Sequence, residues 1–403
     1  MPESAFVDLG DLPLGEGGHL LLKRALWQAG AGERVRVSGS ASTLAVDLAP
    51  WCRQQGHELL ELVTTEPGVS ATIARGQALG ARHRGAERAG HAVASRPDAV
   101  VDKPPERWGL AARGALVEAG TPRFGFTLDD KDAVWTDDAS RLYAQAVAAQ
   151  WDPATAIPWA EAPALPDAVE DAVVQLMTYL IENETAALIL PARFIARLHP
   201  HFREVMQLLA VQAADEARHI EVFTRRALLL RSELGLSTAG GQASLATLLD
   251  EPDFALASFL LSVLGEGTFL SLLGFLREHA PDPVTEAVAR LTARDEARHV
   301  AFGMAHLVRH AGRDPALLPR LAAAVERRHD ALANTAGLND EVSDALLLLA
   351  AGSFEPPALR QGHARVMTLV ADMDAGRRQR LVRLGFPEAQ AEQLSALHTR
   401  NFM

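Results

Sequence analysis

"DEARH" occupies residues 215–219, and the same five letters return at residues 295–299. Each copy lies within a pattern of apolar residues that is typical of a helix. In each copy the Glu and the His are three positions apart, so both side chains lie on one face of that helix. Each copy therefore offers a carboxylate and an imidazole to the same neighbouring surface.

The first copy belongs to a predicted helical hairpin. A helix over 166–198 carries an apolar face with Glu184 in its middle, and a lone carboxylate there is costly unless it is paired or binds a metal. A turn at Pro200 leads into a second helix over 201–234. Glu216 lies as far after that proline as Glu184 lies before it. In an antiparallel hairpin, the two carboxylates face each other.

The second copy repeats this arrangement. Glu266 lies in a strongly apolar helix predicted over 252–279, and Glu296 lies in the next helix, predicted over 283–311. Both glutamates are equally far from the turn at Pro281. The second hairpin therefore brings another pair of carboxylates face to face.

Two details of these helices leave alternatives open. Glu182 competes with Glu184, but it lies about 200° away around the helix, so we expect Glu184 to face the partner helix. Gly265 and Gly267 flank Glu266, and each glycine in a helix costs about 1 kcal/mol relative to alanine. The two glycines indicate a π-bulge or room for a substrate, with close helix packing as the alternative.

Together the hairpins offer four carboxylates and two imidazoles, from Glu184, Glu216, His219, Glu266, Glu296 and His299. Such a set in a four-helix bundle holds two iron or two manganese ions, and we predict that these residues are both the metal ligands and the catalytic residues. Asp215 and Asp295 are expected to hold the second ring nitrogen of the opposite histidine. Arg218 and Arg298 are expected to pair with these aspartates.

The composition restricts the class of protein. A chain of 403 residues predicts two or three domains. The formal net charge of −12 argues against a nucleic-acid partner. A single cysteine, Cys52, excludes an internal disulfide, a Cys-ligated zinc site and an iron–sulfur cluster. Since neither a signal-like segment nor an apolar run of about 18 residues is visible, we expect no membrane association and a cytoplasmic location.

The chain divides into regions of different pattern. We read residues 1–65 as a small α/β domain, 66–104 as a Gly-, Ala- and Arg-rich linker, and 105–403 as a helical domain. Within the helical domain, the metal-binding bundle is expected over about 166–311, and further helices over 312–403.

At the paired DEARH motifs the chain resembles the ferritin-like di-iron oxidase and oxygenase superfamily. The motif looks like the D-E-x-R-H segments of bacterial multicomponent monooxygenases and is similar to the ligand motifs of the ribonucleotide reductase small subunit. This resemblance implies a mainly α fold, a ferritin-like four-helix bundle with extra C-terminal helices. It also implies two Fe ions, with Mn as the alternative, and an enzyme that activates dioxygen. The substrate would be a small organic molecule, oxidised by hydroxylation, N-oxygenation, desaturation or oxidative cleavage.

Three positions depart from the chemistries of these relatives. Phe223 stands where the reductase has its radical-forming Tyr, and Leu270 stands where the hydroxylases have a Thr. Thr292 stands where the p-aminobenzoate N-oxygenases have an extra His ligand. None of the three chemistries therefore carries over whole.

The partners follow from the same reasoning. Without a cysteine cluster for an electron-transfer centre on the chain, an external donor (a separate reductase or ferredoxin) or the substrate itself must supply electrons. Two other functions remain open at this stage. One is a metal-storing or peroxide-scavenging ferritin-like protein, and the other is a tRNA-modifying di-iron hydroxylase.

The first 65 residues resemble the TusA-type sulfur-carrier fold in their order of elements and in the segment "WCRQQGHELLE" at 51–61. That family carries sulfur on a Cys just after the first strand, in a Cys-Pro-x-Pro motif. The corresponding stretch here, "DLGDLPLGEGG" at 8–18, contains no Cys. We therefore expect no persulfide carriage, a buried packing role for Cys52, and a domain retained for docking or for formation of a homodimer.

Overall fold

A computed structural model of the chain describes residues 5–66, 68–77, 85–93, 96, 99–333 and 340–397. The chain forms two units. The smaller comprises Met1–Ala89 and Gly114–Pro122, and the larger comprises Gly90–Arg113 and Arg123–Met403.

The smaller unit is an α/β structure with a mixed sheet. Its elements are β1 (Ala5–Asp8), α1 (Gly18–Gln28), β2 (Arg34–Gly39), α2 (Leu44–Gln55), β3 (Glu58–Thr65), β4 (Gly68–Ala74), β5 (Glu87–Arg88) and β6 (Leu116–Val117). The main sheet has the order β1-β2-β4-β3, with β1 parallel to β2 and the other neighbours antiparallel. Cys52 lies in the core of this unit, as predicted, and burial raises the pKa of its thiol to about 11.

The predicted linker over 66–104 is wrong at Gly68–Ala74. That segment is β4, which pairs with β2 on one side and β3 on the other. Its buried residues, Val69, Ala71 and Ile73, alternate with less buried ones, as expected for a strand with one face on the core. The Gly, Ser, Thr and Ala between them hid this alternation, since such residues are also typical of connecting segments. Residues 67, 78–84, 94–95 and 97–98 of the predicted linker lie outside the described residues.

The larger unit is helical. Its helices are α3 (Lys131–Val134), α4 (Ala139–Ala148), α5 (Asp167–Ile195), α6 (Arg203–Ala227), α7 (Ala239–Leu249), α8 (Phe254–Ser258), a π-helical segment (Phe259–Glu266), α9 (Gly267–Glu278), α10 (Pro283–Ala311), α11 (Leu317–Leu332), α12 (Asp340–Ala351), α13 (Pro356–Leu384) and α14 (Glu388–Ala396). The chain is therefore mainly helical, with a small α/β unit at its N-terminus, as predicted.

Two hairpins of long helices form the centre of the larger unit. α5 packs along α6, and α9 packs along α10. Local sequence sets where the return helices begin: the short turn Pro200–Phe202 precedes α6, and Asp282 caps α10 by accepting from the Thr285 backbone N–H, followed by Pro283 in the first turn. α6 also packs against α10. The result is a ferritin-like four-helix bundle with further helices after it.

α8, the π-helical segment and α9 follow one another without a break and form the third long helix of the bundle, which is unusually apolar. Over Phe254–Glu278 it is long and apolar enough to cross a membrane by length and composition, but 83% of its most apolar window is buried inside the protein. Packing against the other helices therefore accounts for its composition.

A fully buried arginine joins three helices near one end of the bundle. Arg226 of α6 donates from Nη1 to Glu170 of α5 at 2.7 Å and from Nη2 to Asp282 at 2.8 Å. Its Nε donates to Thr285 of α10 at 2.8 Å. Both buried carboxylates thus receive hydrogen bonds from a side chain of the protein itself.

Candidate metal centre

The structure brings the six predicted ligands together inside the bundle. Glu184 lies on α5, Glu216 and His219 on α6, Glu266 at the end of the π-helical segment, and Glu296 and His299 on α10. None of them is more than 5% exposed. The periodicity of the helices, rather than any loop, therefore directs all six side chains inward.

One half of the centre forms around His219. Its Nδ1 atom lies 3.0 Å from Glu216 Oε2, 3.2 Å from Glu296 Oε1 and 3.5 Å from Glu184 Oε2. We call Glu184 and His219, with the oxygens facing them, the His219 half.

The other half forms around His299. Its Nδ1 atom lies 3.1 Å from Glu216 Oε1, 3.4 Å from Glu296 Oε2 and 4.0 Å from Glu266 Oε1. Glu216 and Glu296 thus turn one oxygen toward each histidine, which is the geometry of bridging carboxylates. Glu266 and His299 belong to this His299 half alone.

The potential ligand atoms form two overlapping groups, in each of which they lie within 4.8 Å of one another. The groups are Glu184, Glu216, His219 and Glu296, and Glu216, Glu266, Glu296 and His299. Among the described residues, Glu182 belongs to neither group, and it is half-buried. Two groups that share their bridging carboxylates fit a dinuclear metal site.

Unpaired buried atoms test whether these residues suit metal ions. In the described structure, the buried atoms without a hydrogen-bond partner include Glu184 Oε1, Glu216 Oε1, Glu266 Oε2, both carboxylate oxygens of Glu296, and His299 Nδ1. Each buried polar atom left unpaired costs about 1–3 kcal/mol. Four carboxylates balance the charge of two divalent cations, and carboxylate with imidazole suits iron and manganese. The residues present therefore fit a pair of such ions.

Glu184 and Glu266, each of which belongs to only one half of the centre, are hard to ionise. Burial raises the pKa of Glu184 well above its usual value, and the charge of Glu216 raises it further. Burial likewise raises the pKa of Glu266, and the charge of Glu296 adds to the effect. Like charges held out of water thus make positive charge favourable at this point of the bundle.

For the two histidines and Glu216, the charges of neighbouring groups outweigh the effect of burial on the pKa. Burial alone would raise the pKa of Glu216, but the charge of His299 and the hydrogen bond with His219 hold it well below its usual value. Burial alone would lower the pKa of His219 and His299, but Glu184 raises the first and Glu216 raises the second well above the usual value. Protons on the imidazoles and cations compete for the same carboxylates.

Each histidine is held from behind by the aspartate of the other motif. His219 Nε2 lies 3.2 Å from Asp295 Oδ2, and His299 Nε2 lies 3.2 Å from Asp215 Oδ2. Burial raises the pKa of Asp295, but the hydrogen bond from His219 outweighs it and the pKa is lowered. These contacts orient both rings so that Nδ1 faces the glutamates.

Both predicted arginines contact both aspartates. Arg218 Nη2 lies 2.5 Å from Asp215 Oδ1 and 2.7 Å from Asp295 Oδ2. Arg298 Nη2 donates to Asp295 and lies 3.6 Å from Asp215. The four side chains link α6 to α10 behind the histidines.

Two further residues of this network were missed by sequence reasoning. Trp151 Nε1 donates to Asp295 Oδ2 at 2.8 Å, and the Arg218 guanidinium lies 4.7 Å from the centre of the Trp151 ring. Gln150 Nε2 donates to Asp215 Oδ1 at 2.9 Å. These residues follow the short helix α4, far along the chain from both motifs, and no periodicity marks them.

Gln212 was also missed, although its position carries a signal. It lies one turn before Glu216 on the same face of α6, and its Nε2 donates to Glu266 Oε1 at 2.8 Å. The helical period that identified the ligands would have identified it as well.

The glycines beside Glu266 have two structural reasons. The segment Phe259–Glu266 is π-helical, which confirms the π-bulge predicted from them. In addition, Gly267 leaves room for the Arg380 guanidinium of α13, whose Nε donates to the Val263 carbonyl at 2.7 Å. The C-terminal helices thus support the segment that carries Glu266.

Of the three positions that distinguish known chemistries, Phe223 and Thr292 are fully buried, and Leu270 is half-buried. Phe223 is fully buried, and its ring centre lies 6.4 Å from that of His219. Tyr179 packs on Phe269 with ring centres 6.0 Å apart, and burial raises the pKa of its hydroxyl. Thr292 is fully buried, and its Oγ1 has no hydrogen-bond partner in the described structure.

The sequence matches no family model and no curated protein. Among solved structures the chain is similar to R2-like ligand-binding oxidases. One, a mutant with an aerobically reconstituted Mn/Fe cofactor, is 18% identical with a TM-score of 0.45, over 64% of this chain and 94% of that one. A second, with a metal cofactor after photoconversion, is 19% identical with a TM-score of 0.46, over 66% and 95%. A third, with an Mn/Fe cofactor after a long soak, is 20% identical with a TM-score of 0.43, over 66% and 94%.

Proposed function

We propose that the protein is a non-haem dimetal oxidoreductase that uses dioxygen to oxidise a small organic substrate. The observation that carries this proposal is the pair of buried carboxylate–histidine groups that share Glu216 and Glu296. Two iron ions, or manganese in their place, would supply the redox chemistry when bound. The choice of metal is part of the proposal.

The side chains have separate tasks in this proposal. Glu216 and Glu296 would bridge the ions, since each faces both histidines. Glu184 and His219 would complete one position, and Glu266 and His299 the other. Asp215 and Asp295 hold the imidazoles in the orientation that ligation needs.

A small cavity supports a role for dioxygen. It has a volume of about 20 Å³ and lies beside Gln212, with Phe194, Phe254, Phe302, Ser258 and Ser262 in its wall. A cavity that holds a molecule the size of water needs a volume of about 10–15 Å³, so this cavity suits one very small molecule.

Oxygenation is favoured over tyrosyl-radical chemistry. Phe223 has no hydroxyl hydrogen to give up, and it occupies the position that resembles the radical site of the reductases. Tyr179 remains the alternative donor. Freeze-quenched magnetic resonance after mixing the reduced protein with dioxygen tests this, and a tyrosyl signal lost in Tyr179→Phe would move the protein to the radical class.

Metal analysis and oxygen uptake test the proposal itself. We expect about two ions per chain after anaerobic loading with Fe²⁺, and oxygen consumption that follows the iron content. Glu216→Ala and Glu296→Ala should lose the ion pair, whereas the matched change Glu182→Ala should not. Full occupancy in both ligand variants would refute the assignment. Many more than two ions per chain would indicate storage instead.

For the smaller unit we propose docking or dimerisation in place of sulfur carriage. β3 lies at the edge of its sheet and exposes Leu60, Leu62 and Val63, which is a surface suited to another chain. Light scattering should give the mass of a dimer, and Leu62→Lys should shift it toward the monomer. A monomeric wild-type protein would leave docking to a different partner as the remaining role.

A further inference from the structure

The two halves of the metal centre are not equivalent, and one pair of positions shows why. Gln212 lies one turn before Glu216 on α6, and Thr292 lies one turn before Glu296 on α10. Since the two hairpins repeat one arrangement, Gln212 and Thr292 occupy corresponding places. Both are buried, at 5% and 0% exposure.

The side chain of Gln212 contacts the carboxylate of Glu266. Gln212 Nε2 donates to Glu266 Oε1 at 2.8 Å. The segment around Glu266 is held in addition by the hydrogen bond from Arg380 to the Val263 carbonyl. One oxygen of the glutamate in the His299 half is therefore held by an amide donor, while its Oε2 has no partner in the described structure.

At the corresponding place no such contact exists in the described structure. The Thr292 side chain is shorter than glutamine, and its buried Oγ1 has no partner. Glu184 Oε1 is also without a partner, and the neighbour of its other oxygen is His219 at 3.5 Å. In the described structure, the glutamate of the His219 half therefore receives no hydrogen bond from an amide like that of Gln212.

We propose that Gln212 is a positioning residue that makes the two metal positions unequal. The Glu266–His299 position binds its divalent ion more tightly, because its terminal carboxylate is already oriented, and the Glu184–His219 position binds more weakly. Hydrogen bonds to ligating groups change metal affinity by about 10–100-fold, which sets the scale of the difference. This inference rests on the proposed function in one respect, namely that two divalent ions bind here.

Cobalt(II) is a suitable probe because its visible absorption reports on coordination. We expect an anaerobic calorimetric titration of the metal-free protein with Co²⁺ to show two separate steps. Glu266→Ala should remove the tighter step, and Glu184→Ala the weaker one. These two variants assign each step to one half of the centre.

The decisive variant removes only the amide. Gln212→Met keeps the length and burial of the side chain, and it should weaken the tighter step by about 10–100-fold. The weaker step should change by less than about threefold. The matched control Thr292→Val, which removes the unpartnered hydroxyl at the corresponding place, should leave both steps within about threefold of wild type.

Several outcomes would overturn the inference. Equal weakening of both steps in Gln212→Met, or no change in either, would mean that the amide does not distinguish the positions. Far-ultraviolet circular dichroism of each metal-free variant checks the fold. Should Gln212→Met fail to fold, Gln212→Leu, which has a similar volume and no hydrogen-bond donor, must show the same selective loss. Two equal steps in the wild type would refute the inequality alone, whereas no binding of Co²⁺ would refute the proposed function itself.

Discussion

Two clusters of buried charged side chains lie in the same helical bundle. The carboxylates of one receive hydrogen bonds from within the protein, and many carboxylate oxygens of the other do not. Around Arg226, the carboxylates of Glu170 and Asp282 receive hydrogen bonds from the guanidinium at 2.7 and 2.8 Å. Around His219 and His299, four carboxylates converge and several of their buried oxygens have no partner in the described structure. The first cluster contains its own cation.

The difference shows how to tell a structural cluster from a site. Both clusters involve α5, α6 and α10, and both are almost completely buried, so burial and composition do not distinguish them. The balance of charge does. A cluster whose donors match its acceptors holds helices together, whereas one with excess buried negative charge favours cations from outside.

The largest effect is expected when the internal cation is removed. Arg226→Met leaves two carboxylates buried without a counter-charge, and breaking a buried ion pair in this way costs about 3–5 kcal/mol. Urea denaturation of the metal-free protein measures this loss. The variant should still bind about two ions per chain, and a loss of metal without a loss of stability would break the comparison.

The next effect comes from supplying the external cation. A ligand at about 10 times its dissociation constant stabilises the native state by about 1.4 kcal/mol per site. Anaerobic Fe²⁺ or Mn²⁺ should therefore raise the midpoint of thermal unfolding of the wild-type protein. Glu216→Ala should lose this response. An equal response in that variant would place the stabilising ions elsewhere.

A matched pair of neutralising substitutions on α5 should have opposite signs. Glu170→Gln weakens charged hydrogen bonds to Arg226 and should destabilise the metal-free protein by about 1.5–3 kcal/mol. Glu184→Gln removes a carboxylate whose pKa is raised by burial and by like charges, so at neutral pH it should stabilise the metal-free protein. Destabilisation by both substitutions would contradict the contrast between the clusters.

The last effect is expressed per pH unit and concerns a buried group in neither cluster. Burial, together with the charge of His310, lowers the pKa of His306 to about 3. Because the unfolded chain protonates this imidazole near pH 6.5 and the folded chain does not, stability should fall as the pH drops from about 6.5 toward 3. The slope from one such group is at most about 1.4 kcal/mol per pH unit.

His306→Gln tests this slope. The variant keeps a side chain that can hydrogen-bond Ser258, which lies 3.0 Å from His306 Nε2, but it does not titrate. Unfolding free energies measured between pH 4 and 7 should fall less steeply in the variant. An unchanged slope would assign the acid sensitivity to other groups.

Much of the bundle and of the candidate centre follows from the sequence. The helical period determines which side chains share a face, and the distance of each glutamate from Pro200 or Pro281 determines which side chains meet across a turn. Both quantities are local and can be counted along the chain. For this reason the structure gathers the six predicted residues, and Glu184 rather than Glu182 lies in the cluster.

Only the tertiary structure decided the contacts between distant segments. Trp151 and Gln150 reach the aspartates from outside the bundle, β4 is recognisable as a strand only once β2 and β3 flank it, and Gln212 contacts Glu266 rather than a residue of its own hairpin. Each of these depends on how whole elements pack, and the hydrogen bonds that result join residues far apart along the chain. The helical period specifies the direction of a side chain but not the group that it contacts. That contact decides whether a buried carboxylate is neutralised within the protein or favours a bound cation.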